Sequence, residues 1–167
     1  LKSLSLRGSH FTTNAVNCLA LILKSDRLTY LDLAHCFLGP KIEPVLRVLK
    51  DCRSLITLDL AMNCLHDEQG TLICVAIEDS ICMTDLDVSS NSLSDSTGLA
   101  LCRALRSNDV LWRINLARNS FSEETGKELI TATQYHPAIS EIGNMDRHLF
   151  GLGMSERYPS LNIFYLK

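Results

Sequence analysis

The residues of this chain with chemistry in them are seven cysteines, five histidines and a recurring set of aspartates. Cys18, Cys74 and Cys102 lie in or beside apolar stretches with helical spacing. Cys74 and Cys102 hold the same slot in successive stretches. Neighbouring helices pack about 8–10 Å apart, beyond the roughly 4.4–6.8 Å Cα separation of a disulfide. These thiols are therefore expected to fill core rather than to pair or to ligate metal. His10, His35, His66, His136 and His148 include no pair at the helical spacing of a metal site. Gly151-Leu152-Gly153 lacks the strand–turn–helix setting of a phosphate loop and is expected to be a loop. Neither G-x-S-x-G nor G-x-x-x-x-G-K-[ST] occurs, and nothing brings Ser, His and Asp together. The expectation is a protein without catalytic residues, metal or cofactor. Asp32, Asp59 and Asp87 are a different case: their even spacing makes a row of carboxylates, which attracts cationic groups.

The bulk properties narrow the classes further. Of 167 residues, 46% are hydrophobic and 21% charged, an ordinary globular balance. The formal net charge of −3 offers no basic footprint for nucleic acid or an anionic membrane. The longest apolar run, Cys18 to Leu23, is too short to span a bilayer, and no signal or transit peptide is visible. An odd cysteine count, no C-x-x-C and no N-x-[ST] point to a reducing compartment, so a cytoplasmic protein is expected.

The elements that must position these residues follow from one recurring pattern. Leu55, Leu58, Leu60, Asn63 and Leu65 spell L-x-x-L-x-L-x-x-N-x-L. Copies begin at Leu1, Leu28, Leu55, Met83, Leu111 and Ile139, a period of 27 or 28 residues. The turn site is Ser9, Cys36, Asn63, Asn91 and Asn119 in the first five. There an amide serves backbone groups that a strand ladder leaves unpaired, so stacked copies should form an Asn ladder. The L-x-L core alternates as a strand does. The second half of each copy has helical spacing, for example Ile73, Cys74, Ala76 and Ile77 behind Gly70, or Leu101, Cys102, Ala104 and Leu105 behind Gly98. Asp67-Glu68, Ser94-Asp95 and Ser122-Glu123-Glu124 supply helix starts, and Pro40 or Pro44 suits a first turn.

This pattern resembles the leucine-rich repeats of the ribonuclease-inhibitor-like class over Leu1 to about Ala138. The resemblance implies an α/β solenoid of about six repeats, a horseshoe with a parallel β-sheet on its concave face and α-helices on its convex face. It implies a single domain over 1–167, with an irregular C-terminal cap over about 139–167. In that cap Asn144 and Arg147 break the repeat and LNIFYLK offers a last short strand through Leu161 and Ile163. The apolar edge at Leu1 leads us to expect a longer chain extending upstream. The class also implies a non-enzymatic scaffold that binds another protein within a larger complex, in a cytoskeletal or ciliary setting. A Ran GTPase-activating-type domain is one alternative, and the ligand-sensing end of a nucleotide-binding innate immune receptor is another.

Strand alternation then picks out the residues free to meet a partner. One concave column reads Ser5, Asp32, Asp59, Asp87, Asn115 and Gly143; the next reads Ser3, Tyr30, Thr57, Asp85, Arg113 and Glu141. Ala34, Ala61 and Ala117 leave room beside them. The expected site is Tyr30, Asp32, Asp59, Asp85, Asp87, Trp112 and Arg113, an acidic stripe with aromatic and Arg anchors for a basic segment.

Overall fold

A computed structural model of the chain describes residues 1–134, 136, 138, 139, 141–143 and 162–164. Seven three-residue strands form one sheet, all parallel, in chain order: β1 (Ser3–Ser5), β2 (Tyr30–Asp32), β3 (Thr57–Asp59), β4 (Asp85–Asp87), β5 (Arg113–Asn115), β6 (Glu141–Gly143) and β7 (Asn162–Phe164). The helices α1 (Thr13–Leu23), α2 (Glu43–Leu49), α3 (Asp67–Asp79), α4 (Asp95–Ser107) and α5 (Glu123–Gln134) each follow one of the first five strands. The register pairs Leu4 with Leu31, Leu58, Leu86, Ile114 and Ile142 in turn, in phase with the sequence period. Strand β7 continues the sheet where a last short strand was expected. The rest of the expected cap, including Asn144, Arg147, His148, Gly151, Gly153 and Leu161, lies outside the described residues.

The core lies between sheet and helices. Leu31, Leu33, Leu58, Leu60, Leu86, Val88, Ile114 and Leu116 are buried on the strand side. Val16, Leu46, Ile77, Leu105 and Leu129 answer from the helices. Each fully buried side chain of this kind contributes about 1.5–3 kcal/mol, most of it offset by chain entropy. The expected acids open α3, α4 and α5, and Thr12, which the pattern did not single out, caps α1 by accepting from the Ala15 N–H. Both prolines are used, Pro40 in a 3-10 turn over Gly39–Ile42 and Pro44 in the first turn of α2. That arrangement leaves α2 with seven residues against thirteen in α3.

Three polar ladders tie the repeats together. The Asn row is the first. Asn91 Oδ1 accepts from the N–H groups of Asn63 and Leu65, while its Nδ2 donates to the carbonyls of Leu60, Val88 and Ser89. Asn63 does the same between Leu38 N–H and the Leu33 and Ala61 carbonyls, and Asn119 between Leu93 N–H and the Val88, Leu116 and Ala117 carbonyls. Cys36 fills the row with a thiol that donates to Leu6 and Ala34 carbonyls.

The second ladder, which sequence reasoning missed, lies after the helices. Ser80 Oγ accepts from Cys82 and Met83 N–H, Asn108 Oδ1 from Val110 and Leu111, and His136 Nδ1 from Ala138 and Ile139, while Asn108 Nδ2 ties its turn to the preceding repeat by donating to the Ile77 and Ser80 carbonyls. The third joins helix starts. Asp67 accepts from the Ser94 N–H and from the hydroxyls of Ser94 and Thr97, and Asp95 accepts from the Ser122 N–H. Burial alone would raise the Asp67 carboxyl, but the Ser94 and Thr97 donors hold it below its ordinary value.

The turn out of each of the first five strands holds a left-handed residue. Gly8, His35, Met62, Ser90 and Arg118 stand at the same repeat position, all with φ between 53° and 70°. Only Gly8 adopts that region without steric cost.

Candidate concave interface

The two columns read from sequence are the columns of the sheet. Ser5, Asp32, Asp59, Asp87, Asn115 and Gly143 pair in register, and so do Ser3, Tyr30, Thr57, Asp85, Arg113 and Glu141. The side chain of Glu141 lies outside the described residues.

Each acid of the central column first serves the fold. Asp32 Oδ1 accepts from the Ala34 N–H, Asp59 Oδ1 from Ala61 and Asp87 Oδ1 from Ser89. Asn115 makes the same bond to Ala117 N–H with an amide oxygen. The turn therefore asks for an Asx oxygen and not for a charge.

The row is also less acidic than its sequence suggests. Arg7 reaches across two strands, its Nε 3.0 Å from Asp32 Oδ2 and its guanidinium 2.6 Å from Asp59 Oδ2. Ser5 adds a hydroxyl to Asp32 at 2.9 Å. Asp32 is only 4% exposed, covered by Arg7 and Ser5. The signal for Arg7 was present: it occupies the repeat position that Ala34, Ala61 and Ala117 hold later. Burial would raise the Asp32 carboxyl, but Ala34 N–H, the Ser5 hydroxyl and Arg7 outweigh it and hold it low. Asp59 goes the other way. Burial, with the nearby charges of Asp87 and Asp32, raises it against the Ala61 N–H and Arg7.

The second column carries the more open chemistry. Arg113 lies 3.3 Å from Asp85, and its guanidinium sits 5.1 Å from the centre of the Trp112 ring. Thr84 donates to the other Asp85 oxygen. Trp112 is 44% exposed and Tyr30 37%. Trp112 could have covered the strand entrance; the structure leaves a large part of its ring to solvent. The seven expected residues thus fall into the exposed Trp112, Arg113 and Tyr30, three partly covered acids, Asp59, Asp85 and Asp87, and the buried Asp32. Phe37 and Met62 add exposed apolar surface in the turns beyond the strands, with His35 edge-on to Phe37 at 5.2 Å.

The cysteines divide more sharply than expected. Cys74 and Cys102 are buried on helix faces, where burial pushes their thiols up to about 12 and about 11. Cys18 is exposed, because it falls on the outward side of α1 rather than in its apolar face. Cys64 is exposed as well. A maleimide pulse on the native protein should label Cys18 and Cys64 within minutes and leave Cys74 and Cys102 unlabelled until unfolding, read by peptide mass mapping. Equal labelling of all four would contradict this packing.

No group of His, Cys, Asp and Glu among the described residues could hold a metal ion, and no described helix is long and apolar enough to cross a membrane.

Comparison with known proteins supports the architecture. A family profile described as Leucine Rich repeat matches residues 51–74 and 79–102. No curated protein matches the sequence. Among solved structures, the chain resembles the leiomodin-1 actin-binding site 2, with 14% identity and a TM-score of 0.58 over 95% of this chain and 76% of that one. It also resembles the tropomodulin C-terminal domain of Caenorhabditis elegans, with 12% identity and a TM-score of 0.58 over 96% and 80% of the two chains.

Proposed function

We propose that this leucine-rich-repeat solenoid is a non-enzymatic protein-binding scaffold, and that its partner is a cytoskeletal protein gripped by the concave sheet. The observation that carries the reading is the exposed Trp112 stacked with Arg113, which is paired to Asp85 in the sheet column beside that of Asp59 and Asp87. Exposed Trp and Arg are the residue types on which binding energy concentrates. The likeness in fold to an actin-binding site of leiomodin-1 makes actin the partner to test first. Such a role implies a cytoplasmic protein within a larger assembly. The 27- or 28-residue period and a cysteine in the Asn row support the ribonuclease-inhibitor-like subclass.

The test measures binding of monomeric and filamentous actin by the intact chain and by two variants. Trp112→Ala should weaken binding by at least tenfold, about 1.4 kcal/mol or more. Asp59→Asn with Asp87→Asn should weaken it several-fold and make it less sensitive to salt. The Asn side chains keep the turn bonds, as Asn115 does, so unfolding midpoints should fall only by the loss of the Arg7–Asp59 ion pair and the weakened Asn115–Asp87 bond. No binding of either actin form would overturn the partner. Unchanged affinity in both variants would overturn the surface.

A further inference from the structure

The helical side of the solenoid is closed at two junctions and open at a third. Where α3 meets α4, a Cβ on Gly70 would stand 2.2 Å from Thr97 Oγ1. Where α4 meets α5, a Cβ on Gly98 would stand 2.2 Å from Thr125 Cγ2. These Gly–Thr contacts draw the helices together. At the corresponding repeat positions the α2/α3 junction carries Glu43 in place of the glycine and Gln69 in place of the threonine. Two long polar side chains forbid so close an approach. Gln69 is fully buried, and its Nε2 has no hydrogen-bond partner. Helix α2 is also the short one.

The result is a groove of about 360 Å³ between α2 and α3, lined by Leu46, Arg47, Lys50, Leu72 and Val75. Its floor is apolar, and Val75 is 40% exposed. The only charges in its lining are the cations of one wall. Arg47 is paired with Glu43 at 3.1 Å, and no ion pair is found for Lys50 among the described residues. Glu68 and Asp79 stand a helical turn beyond Leu72 and Val75 on the other wall, outside the lining. We propose that this convex groove is a second docking site, and that its occupant is an amphipathic helix of a partner protein with an apolar stripe and an acidic flank. The lining spans about one helical turn on each wall, from Leu46 to Lys50 and from Leu72 to Val75, so a third helix packed over it can insert a Leu or Phe pair at i and i+3. Its acids then meet Lys50 and Arg47.

The test does not depend on the concave face. The methyl groups of Leu46, Leu72 and Val75 are followed by NMR while three synthetic helical peptides are added: a Leu/Glu amphipathic peptide, the same peptide with Lys for Glu, and a scrambled Leu/Glu peptide. The Leu/Glu peptide should shift these methyls and saturate, and should bind at least tenfold tighter than the other two. Lys50→Glu, and separately Val75→Glu, should each weaken it by about tenfold while leaving concave binding by Trp112 unchanged. Shifts that map to the sheet, equal response to all three peptides, or no response at millimolar peptide would each overturn the proposal. Failure of actin binding would leave the groove result unaffected.

Discussion

Replacing Asn91 with alanine should remove about 3–5 kcal/mol of stability, read as a fall in urea midpoint at constant slope. The side chain makes five hydrogen bonds, two accepted from Asn63 and Leu65 N–H and three donated to Leu60, Val88 and Ser89 carbonyls. Asn91 is buried, so water cannot replace these partners freely. An unsatisfied buried backbone group costs about 1–3 kcal/mol, and two N–H groups lose their acceptor at once. Asn91→Asp tests the donor half: it keeps an acceptor for the N–H groups but aims a carboxylate at three carbonyls. That variant should also be destabilised, and more at neutral pH than in acid, because protonation removes the repelling charge. A loss below about 1 kcal/mol for Asn91→Ala would show that the row is ornament and that the leucines alone hold the stack.

Gly70→Ala is the second large effect expected. The new Cβ would lie 2.2 Å from Thr97 Oγ1, 2.7 Å from its Cγ2 and 3.0 Å from its Cβ. Thr97 cannot swing aside cheaply, because its hydroxyl donates to Asp67 at 2.5 Å. Overpacking of this kind costs about 1–3 kcal/mol, partly offset by the better helix propensity of alanine. Loss of the Asp67 bond adds to it, since that carboxylate is held low by the Ser94 and Thr97 donors. In a double-mutant cycle, Thr97→Ala should relieve much of the clash, so that the pair costs less than the sum of the single changes. Strict additivity would mean that the two helices already separate enough to admit a methyl group. The same substitution at Gly98 meets Thr125 and should behave alike.

Most of the architecture was legible because two periods are superimposed in the sequence. A 27- or 28-residue repeat set the copies in phase, and the two-residue alternation of a strand assigned each side chain to core or concave face. Both concave columns follow from those periods and reappear in the sheet register. What escaped is physically of another kind. Arg7 pairs with residues 25 and 52 positions away, so its effect on Asp32 and Asp59 depends on a side chain spanning two strands. The second ladder escaped because serine, asparagine and histidine take turns in it, sharing a hydrogen-bonding role but no common side chain. The convex groove escaped because it arises where Glu43 and Gln69 stand in place of a Gly–Thr contact, rather than from any motif. The acidic row was read as surface chemistry, yet each Asp is first a turn residue; sequence cannot separate the two roles when one side chain performs both.

The three ladders share a property with a kinetic consequence. Nearly every polar bond between repeats joins residues 23 to 31 positions apart, so each repeat is tied only to its immediate neighbours. Arg7, which reaches two repeats ahead, is the exception. With the polar bonds of the described residues so largely confined to neighbouring repeats, assembly is a one-dimensional zipper that can start at any adjacent pair. Its unfolding is correspondingly a matter of fraying: a central unit is guarded from two sides, an end unit from one. The grip of Arg7 on Asp59 joins the β1 repeat to the β3 repeat, so it resists their separation as well as neutralising charge.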